Sequence, residues 1–155
     1  VIPPFQRFLD DQREPVWRFL VASVGRVDAD DCFQETFLAA MSAYPRLRAG
    51  SNLHAWVMTI AHRKALDHHR GRARRAIPVD AVPEVAVHDP PPRDEETWER
   101  VRELPPKQRA AVLLRYAGDL SHAEVAAALD CSEEAARRSA HEGLKKLRLE
   151  MSPTP

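Results

Sequence analysis

Glycine is scarce in this chain of 155 residues, with five in all. So few leave little room for a glycine-rich phosphate cradle, and no nucleophile stands with its base in sequence, so no catalytic centre is expected. Two cysteines, Cys32 and Cys131, are far apart and make neither a metal pattern nor a dense disulfide framework, which fits a reducing compartment. No run approaches the roughly 18 consecutive apolar residues of a membrane span, and no charged-then-apolar leader precedes a small-residue cleavage site. A soluble, cytoplasmic protein without membrane insertion is the expectation. Val1 stands where Met is expected, as a literally translated GTG start codon or a trimmed chain would give. Net charge is missing too, with 23 Lys and Arg against 23 Asp and Glu. A zero total weighs against a nucleic-acid partner only if the charge is evenly spread, because phosphate is met by local basic surface.

It is not evenly spread. Residues 1–75 are net +4, residues 76–96 net −5 and residues 97–155 net +1. The middle stretch holds five of the thirteen prolines, Pro78, Pro83, Pro90, Pro91 and Pro92, and no 3.6-residue apolar repeat. It reads as a linker stiffened by proline and extended by its own charge. The flanking parts are of a size near the lower limit for a self-supporting core. The expected division is therefore 1–75, a linker over 76–96, a second domain over 97–150 and a tail of 151–155.

Both flanking parts show apolar residues at steps of three and four, the signature of helix. Phe5, Phe8, Leu9, Val16, Phe19 and Leu20 share one side of a first helical segment running to Val21, closed by Gly25. Pro15 either starts a second helix there or kinks a continuous one. The carboxylates of Asp28, Asp30 and Asp31 suit the start of the next helix, which runs to Tyr44 before Pro45 stops it. Phe33, Phe37, Met41 and Tyr44 form its expected buried stripe, leaving Asp31, Gln34, Glu35 and Leu38 outside. A third helix over 53–70 faces Leu53, Trp56, Val57, Ile60, Ala61 and Leu66 inward. Trp56, at helical spacing from Ile60, reads as core. Further on, Pro105 and Pro106 open a helix through Ala117. Ser121 and Glu124 make a capping box for a short helix to Leu129, and Ser132 caps a last helix from Glu133 to Leu149. A short helix, a tight turn and a longer helix is the helix-turn-helix pattern. The fold class is all-α, with two small helical domains.

Four stretches in this order carry a resemblance: DADDCFQETF from Asp28, WVMTIAHRKALDHHR from Trp56, the acidic Pro-rich linker, and LPPKQR from Leu104 ahead of the helix-turn-helix. Together they resemble a bacterial RNA polymerase sigma factor of the extracytoplasmic-function (ECF) type, over about residues 5–148. The resemblance implies a region 2 helical bundle and a region 4 helix-turn-helix, core RNA polymerase and promoter DNA as partners, and no cofactor or metal. It implies that Asp30, Asp31, Gln34, Glu35 and Leu38 bind core polymerase, where an exposed acidic and amide face around one Leu suits a basic helical partner. The most basic stretch, residues 62–75 at net +5, is implied to meet and open the promoter's -10 element. Capturing an unstacked base there needs a pocket as well as cations; the loop from Arg46 to Asn52, with Leu53, His62 and Arg63, is the candidate pocket, and Arg70 and Arg72 are further candidates for the -10 contact. His62, His68 and His69 do not match a zinc spacing.

For the -35 element, the recognition helix would read bases with its N-terminal half, through Arg137, Arg138 and His141, with Lys145 and Lys146 nearer the backbone; Ser121, at the start of the preceding short helix, is the remaining candidate. Arg can grip guanine O6 and N7. Two cations usual in the family are replaced here by Ser139 and Glu142, while Arg138 is added, so an unusual -35 sequence is expected. An acidic linker would either imitate RNA in a basic channel or serve as a spacer. An anti-sigma protein clamping the two domains is compatible with the chain. Two other functions fit parts of the sequence: a stand-alone helix-turn-helix regulator, or a sigma-like adaptor acting through a protein partner. Cys32, beside Phe33, reads as a buried small hydrophobe, and Cys131, at the inter-helix turn, as the better candidate for a redox sensor.

Overall fold

A computed structural model describes residues 1–74 and 93–151, with side chains placed over 1–71 and 95–149. The linker expectation therefore lies outside the described residues, except at its last four positions. Among the described residues there are seven α-helices: α1 (Phe5–Val24), α2 (Arg26–Ala43), α3 (Leu53–Arg74), α4 (Arg93–Arg102), α5 (Pro106–Val112), α6 (His122–Leu129) and α7 (Glu133–Met151). None of the described helices is long and apolar enough to cross a membrane.

In α1, Pro15 sits inside one continuous helix. Gly25, at φ +84°, then turns the chain directly into α2, so α2 starts at Arg26, with Asp28 in its first turn. A left-handed φ is open to glycine at little cost, and it lets two helices join through a single residue. A short 3-10 turn, Tyr44–Arg46, with Pro45 in it, ends α2.

Helices α1, α2 and α3 pack as a three-helix bundle around an aromatic cluster. Phe8 lies at its centre, with ring centroids 5.7 Å from Phe5, 6.3 Å from Phe37, 5.3 Å from Tyr44 and 5.7 Å from Trp56. Trp56 is thus part of the packing, as its spacing predicts. Val57, Met58, Ala61 and Ala65 carry the buried stripe of α3, and Ala29, Cys32, Thr36, Phe37 and Ala40 that of α2. Met41 departs from expectation: it is 53% exposed, because Ala40 takes the core-facing position beside it. Cys32 is buried as expected, and burial, reinforced by Glu35, Asp28 and Asp31, pushes its thiol up to about 11.

The second half begins earlier than the charge sums suggest, since α4 starts at Arg93. Its Val101 is buried and Trp98 packs on the core. Pro106 occupies the first turn of α5, where a missing N–H costs nothing. The helix then widens over Leu113–Ala117 into a π turn, with the Gly118 N–H donating to the Leu113 carbonyl at 2.9 Å. The capping box of α6 forms as read: the Ser121 hydroxyl accepts from the Glu124 N–H at 3.1 Å, and the Ser121 N–H donates to the Glu124 carboxylate at 2.9 Å. Asp130, at φ +53°, and Cys131 make the turn, and the Ser132 hydroxyl caps α7 through the Ala135 N–H at 3.1 Å. Helix α7 buries Ala136, Ala140 and Leu147. Gly143 lets it close on α5, since a Cβ there would stand 2.7 Å from Val112.

The buried side chains of both halves join in one continuous apolar cluster. Gly118 packs on Phe19 of α1, and Leu114 and Leu120 are fully buried.

Candidate nucleic-acid and polymerase interfaces

The structure gathers the polymerase-facing candidates on one strip of α2. Asp30, Asp31, Gln34, Glu35 and Leu38 are all exposed. Val27, Asp31, Gln34, Leu38 and Met41 follow each other at steps of three and four, which places them on one helix face. Of these, Val27 is 83%, Leu38 61% and Met41 53% exposed. Three large apolar side chains thus stand open to solvent among carboxylates and an amide. Val27 was not singled out in the sequence and Met41 was expected in the buried stripe; the signal that puts both on this face is their register with Leu38.

The -10 candidates are spread along α3. Asn52 sits at its start: the Asn52 side chain accepts from the Ala55 N–H at 3.1 Å. Leu53 follows, half-buried, and Arg63 and Arg70 are exposed. Leu53 and His62 are nine residues apart, about 14 Å along a helix, so they do not close around one pocket. His62 differs from expectation. It is only 5% exposed, and burial, with Arg109 and Arg63 adding to it, pushes its imidazole down to about 4. It is a neutral side chain turned toward the second half. His68 and His69 also take internal partners, Asp28 at 3.3 Å and the Ser23 carbonyl at 2.9 Å. Burial is the main cause that holds His69 below its ordinary range. Arg72 lies in α3 beyond the placed side chains.

The -35 candidates form a coherent exposed surface on α6 and α7. Arg137, Arg138, His141 and Lys145 are exposed along α7, and Ser121 is exposed at the start of α6. Arg137 pairs with Glu133 at 3.0 Å and Arg138 with Glu134 at 3.4 Å. Exposed pairs of this kind contribute about 0.2–1 kcal/mol, so both guanidinium groups can be surrendered to phosphate or guanine at little cost. Glu142 is exposed on the same helix, whereas Ser139 is half-buried and faces the first half.

Several polar residues that sequence reasoning did not single out join the halves. The Asn52 amide donates to Glu124 at 2.5 Å. The Nε2–H of His54 donates to the Gly118 carbonyl at 2.7 Å, since a carbonyl only accepts, and Nδ1 faces the Gln12 side chain at 2.9 Å. Arg102 donates to the carbonyls of Ala22 at 2.9 Å and Val21 at 2.8 Å and pairs with Glu95 at 3.0 Å. A cation over the last carbonyls of α1 complements the negative end of that helix. The carboxyl of Glu124 is held below its ordinary range, chiefly by the Ser121 N–H.

A helical bundle carrying an acidic, apolar-studded strip, joined to a helix-turn-helix with a cationic outer face, defines a DNA-reading protein that also docks on another protein. The comparisons identify the two parts. The family described as Sigma-70 region 2 matches residues 9–75, and Sigma-70, region 4 matches residues 94–147. The chain is 35% identical to the ECF RNA polymerase sigma factor SigD of Mycobacterium tuberculosis, over 92% of this chain and 74% of that protein. It is 33% identical to the RNA polymerase sigma factor CarQ of Myxococcus xanthus, over 77% and 72%. Among solved structures, the fold is similar to the sigma factor RpoE in complex with the anti-sigma factor NepR from Bartonella quintana, with a TM-score of 0.79 at 22% identity over 96% of this chain and 98% of that one. It is also similar to CnrH in complex with the cytosolic domain of CnrY, with a TM-score of 0.68 at 19% identity over 95% and 86%. The chain belongs to the ECF sigma factors of the sigma-70 family. It is a promoter-recognition subunit that binds core RNA polymerase, and the polymerase does the chemistry. A stand-alone helix-turn-helix regulator would have no counterpart to residues 9–75, so the region 2 match decides against that alternative.

Proposed function

We propose that the outer strip of α2 is the surface that holds core polymerase, with Asp30, Asp31, Gln34, Glu35 and Leu38 as its centre and Val27 and Met41 extending it. The start of α3 at Asn52 and Leu53, with the basic stretch carrying His62, Arg63, Arg70 and Arg72, engages the -10 element. Ser121, Arg137, Arg138, His141 and Lys145 engage the -35 element. The observation that carries this assignment is the α2 strip, where Leu38 and Met41 stand open to solvent between acidic and amide neighbours. Apolar side chains in such a position contribute most when a partner desolvates them. The same two halves offer a grip for an anti-sigma protein, the type of partner held by the RpoE structure to which this fold is similar. The site of action is the cytoplasm, at the nucleoid when the chain is bound to polymerase, and no enzyme activity belongs to the chain itself.

The test is Leu38→Arg. Its side chain is exposed, so folding is retained. Loss of an interface anchor costs about 2 kcal/mol or more, which is more than a tenfold weakening. Pull-down with core polymerase and promoter-dependent run-off transcription are expected to fall together by that factor. Unchanged core binding by a folded L38R chain would move the polymerase surface elsewhere.

A further inference from the structure

A cavity of about 300 Å³ lies between the second half of α3 and the helix-turn-helix, a volume at the small end of the range for ligand sites. Leu66 and Ala110 give it an apolar wall, and His62, Arg70, Lys107 and Ser139 give it a polar lining. No carboxylate is among the residues that line it, in a chain with as many acidic as basic side chains. His62 is 5% exposed, and burial keeps its imidazole neutral. Among the described residues it makes no hydrogen bond. A neutral imidazole has one N–H to donate and one ring nitrogen to accept, and a buried polar group is ordinarily partnered. Arg70 and Lys107 line the cavity from exposed positions and carry no ion pair among the described residues. Arg137 and Arg138, by contrast, are each paired with a glutamate.

We propose that this cavity is a binding site for a small organic anion, a phosphate or carboxylate head on a compact apolar body. Arg70 and Lys107 hold the head by charge, His62 and Ser139 donate hydrogen bonds to it, and Leu66 and Ala110 cover the body. Two like charges that share a cavity repel each other, and an anion between them turns that repulsion into two attractions. The guanidinium of Arg70 adds a planar fork of donors suited to either head, and the ammonium of Lys107 a compact point charge. An inorganic anion would use the cations and leave the apolar wall wet. A neutral apolar molecule would cover the wall and leave the cations without a counter-charge. An occupant with both parts satisfies both sides, which is the usual composition of a ligand site: an apolar lining with a few placed polar groups.

The test uses the full chain and its own thiol. Cys131 lines the cavity and is exposed, whereas Cys32 is buried, so the rate at which iodoacetamide alkylates Cys131, followed by mass spectrometry of its peptide, reads occupancy at this place. Phenyl phosphate, a ring with one phosphate, is the probe. It is expected to slow the alkylation saturably, with half-protection at about 1 mM or below. Inorganic phosphate and benzyl alcohol each carry one part of the chemistry and are expected to need at least about tenfold more for the same protection. Lys107→Gln removes a cation from an exposed position, so the fold is retained, and is expected to weaken phenyl phosphate by about tenfold or more. Lys107→Arg keeps the charge and is expected to restore most of that loss. Ser139→Leu fills the cavity and is expected to weaken phenyl phosphate and benzyl alcohol alike. An alkylation rate unmoved by phenyl phosphate up to about 10 mM would overturn the site, as water alone would then fill it. Protection by inorganic phosphate or by benzyl alcohol equal to that by phenyl phosphate, or protection that survives Lys107→Gln undiminished, would overturn it too.

Discussion

The two halves are built from different side chains and keep the residues proposed to read DNA in different states. The first half is centred on rings, Phe8 touching Phe5, Phe37, Tyr44 and Trp56. The second is centred on Ala110, Ala111, Ala126, Ala136 and Ala140 with leucines and valines between them. Aromatic side chains bury far more area per residue, whereas small ones bring helices close without burying much. The second half accordingly rests on α1, where Gly118 meets Phe19. The contrast in function runs the other way. Of the residues proposed for the -10 element, Asn52 is hydrogen-bonded to Glu124 and His62 is buried while Arg63 and Arg70 are exposed; those proposed on α7, Arg137, Arg138, His141 and Lys145, are all exposed, the first two in surface ion pairs.

The largest expected effect tests the first part of this contrast. Phe8→Ala removes the centre of the ring cluster and is expected to cost about 3–5 kcal/mol, measured by guanidinium unfolding. Because the cores are continuous, the second half should unfold in the same transition; two separate transitions in the wild-type chain would break the comparison.

The pH dependence of stability probes the buried reader. His62 titrates near its ordinary value of 6.5 when unfolded and at about 4 in the fold. Above pH 6.5 it is neutral in both states and adds no pH dependence. Between pH 6.5 and 4 the unfolded chain binds the extra proton, so stability falls as pH falls, by about 3 kcal/mol in all at about 1.36 kcal/mol per unit. His62→Gln is expected to flatten this part of the profile relative to wild type. An unchanged slope would mean that the imidazole meets solvent, and so that the halves stand apart.

The smallest effect lies at a local feature of the second half. Ser121→Ala removes the cap of α6 and is expected to cost about 1 kcal/mol. It should loosen the Asn52–Glu124 tie through the same capping box, visible as faster amide exchange at Glu124 and Ala55. Faster exchange at Glu124 alone would show that the cap and the tie are independent.

Much of this molecule is legible in sequence because its punctuation is local. Gly25, Pro45, Pro106, the Ser121 and Glu124 pair and Ser132 each act within a few residues, and they delimit the helices where expected. Helix α4 was hidden by its charge: its first four residues, 93–96, fall in the acidic stretch read as linker, and only Trp98, Val101 and Leu104 at helical spacing betray the rest. Met41 was misplaced because apolar character alone does not tell a core position from an exposed one, and Ala40 takes the inner position. His62 looked like part of an exposed basic stretch because it shares a cavity with Pro106, Lys107 and Ala110 of the second half, a neighbourhood that no spacing within α3 reveals. The tie between Asn52 and Glu124 spans 72 positions and has no periodic signature. The zero net charge, likewise, conceals a cationic end of α3 facing a recognition helix that is uncharged where the two meet.

The central claim is that the outer strip of α2, open to solvent at Val27, Leu38 and Met41, is the face that meets core polymerase. A photo-crosslinking side chain placed at Met41 tests it most directly. The account predicts a covalent adduct with a core subunit that is lost when Leu38→Arg is added. Absence of an adduct in a complex shown to initiate transcription would contradict it.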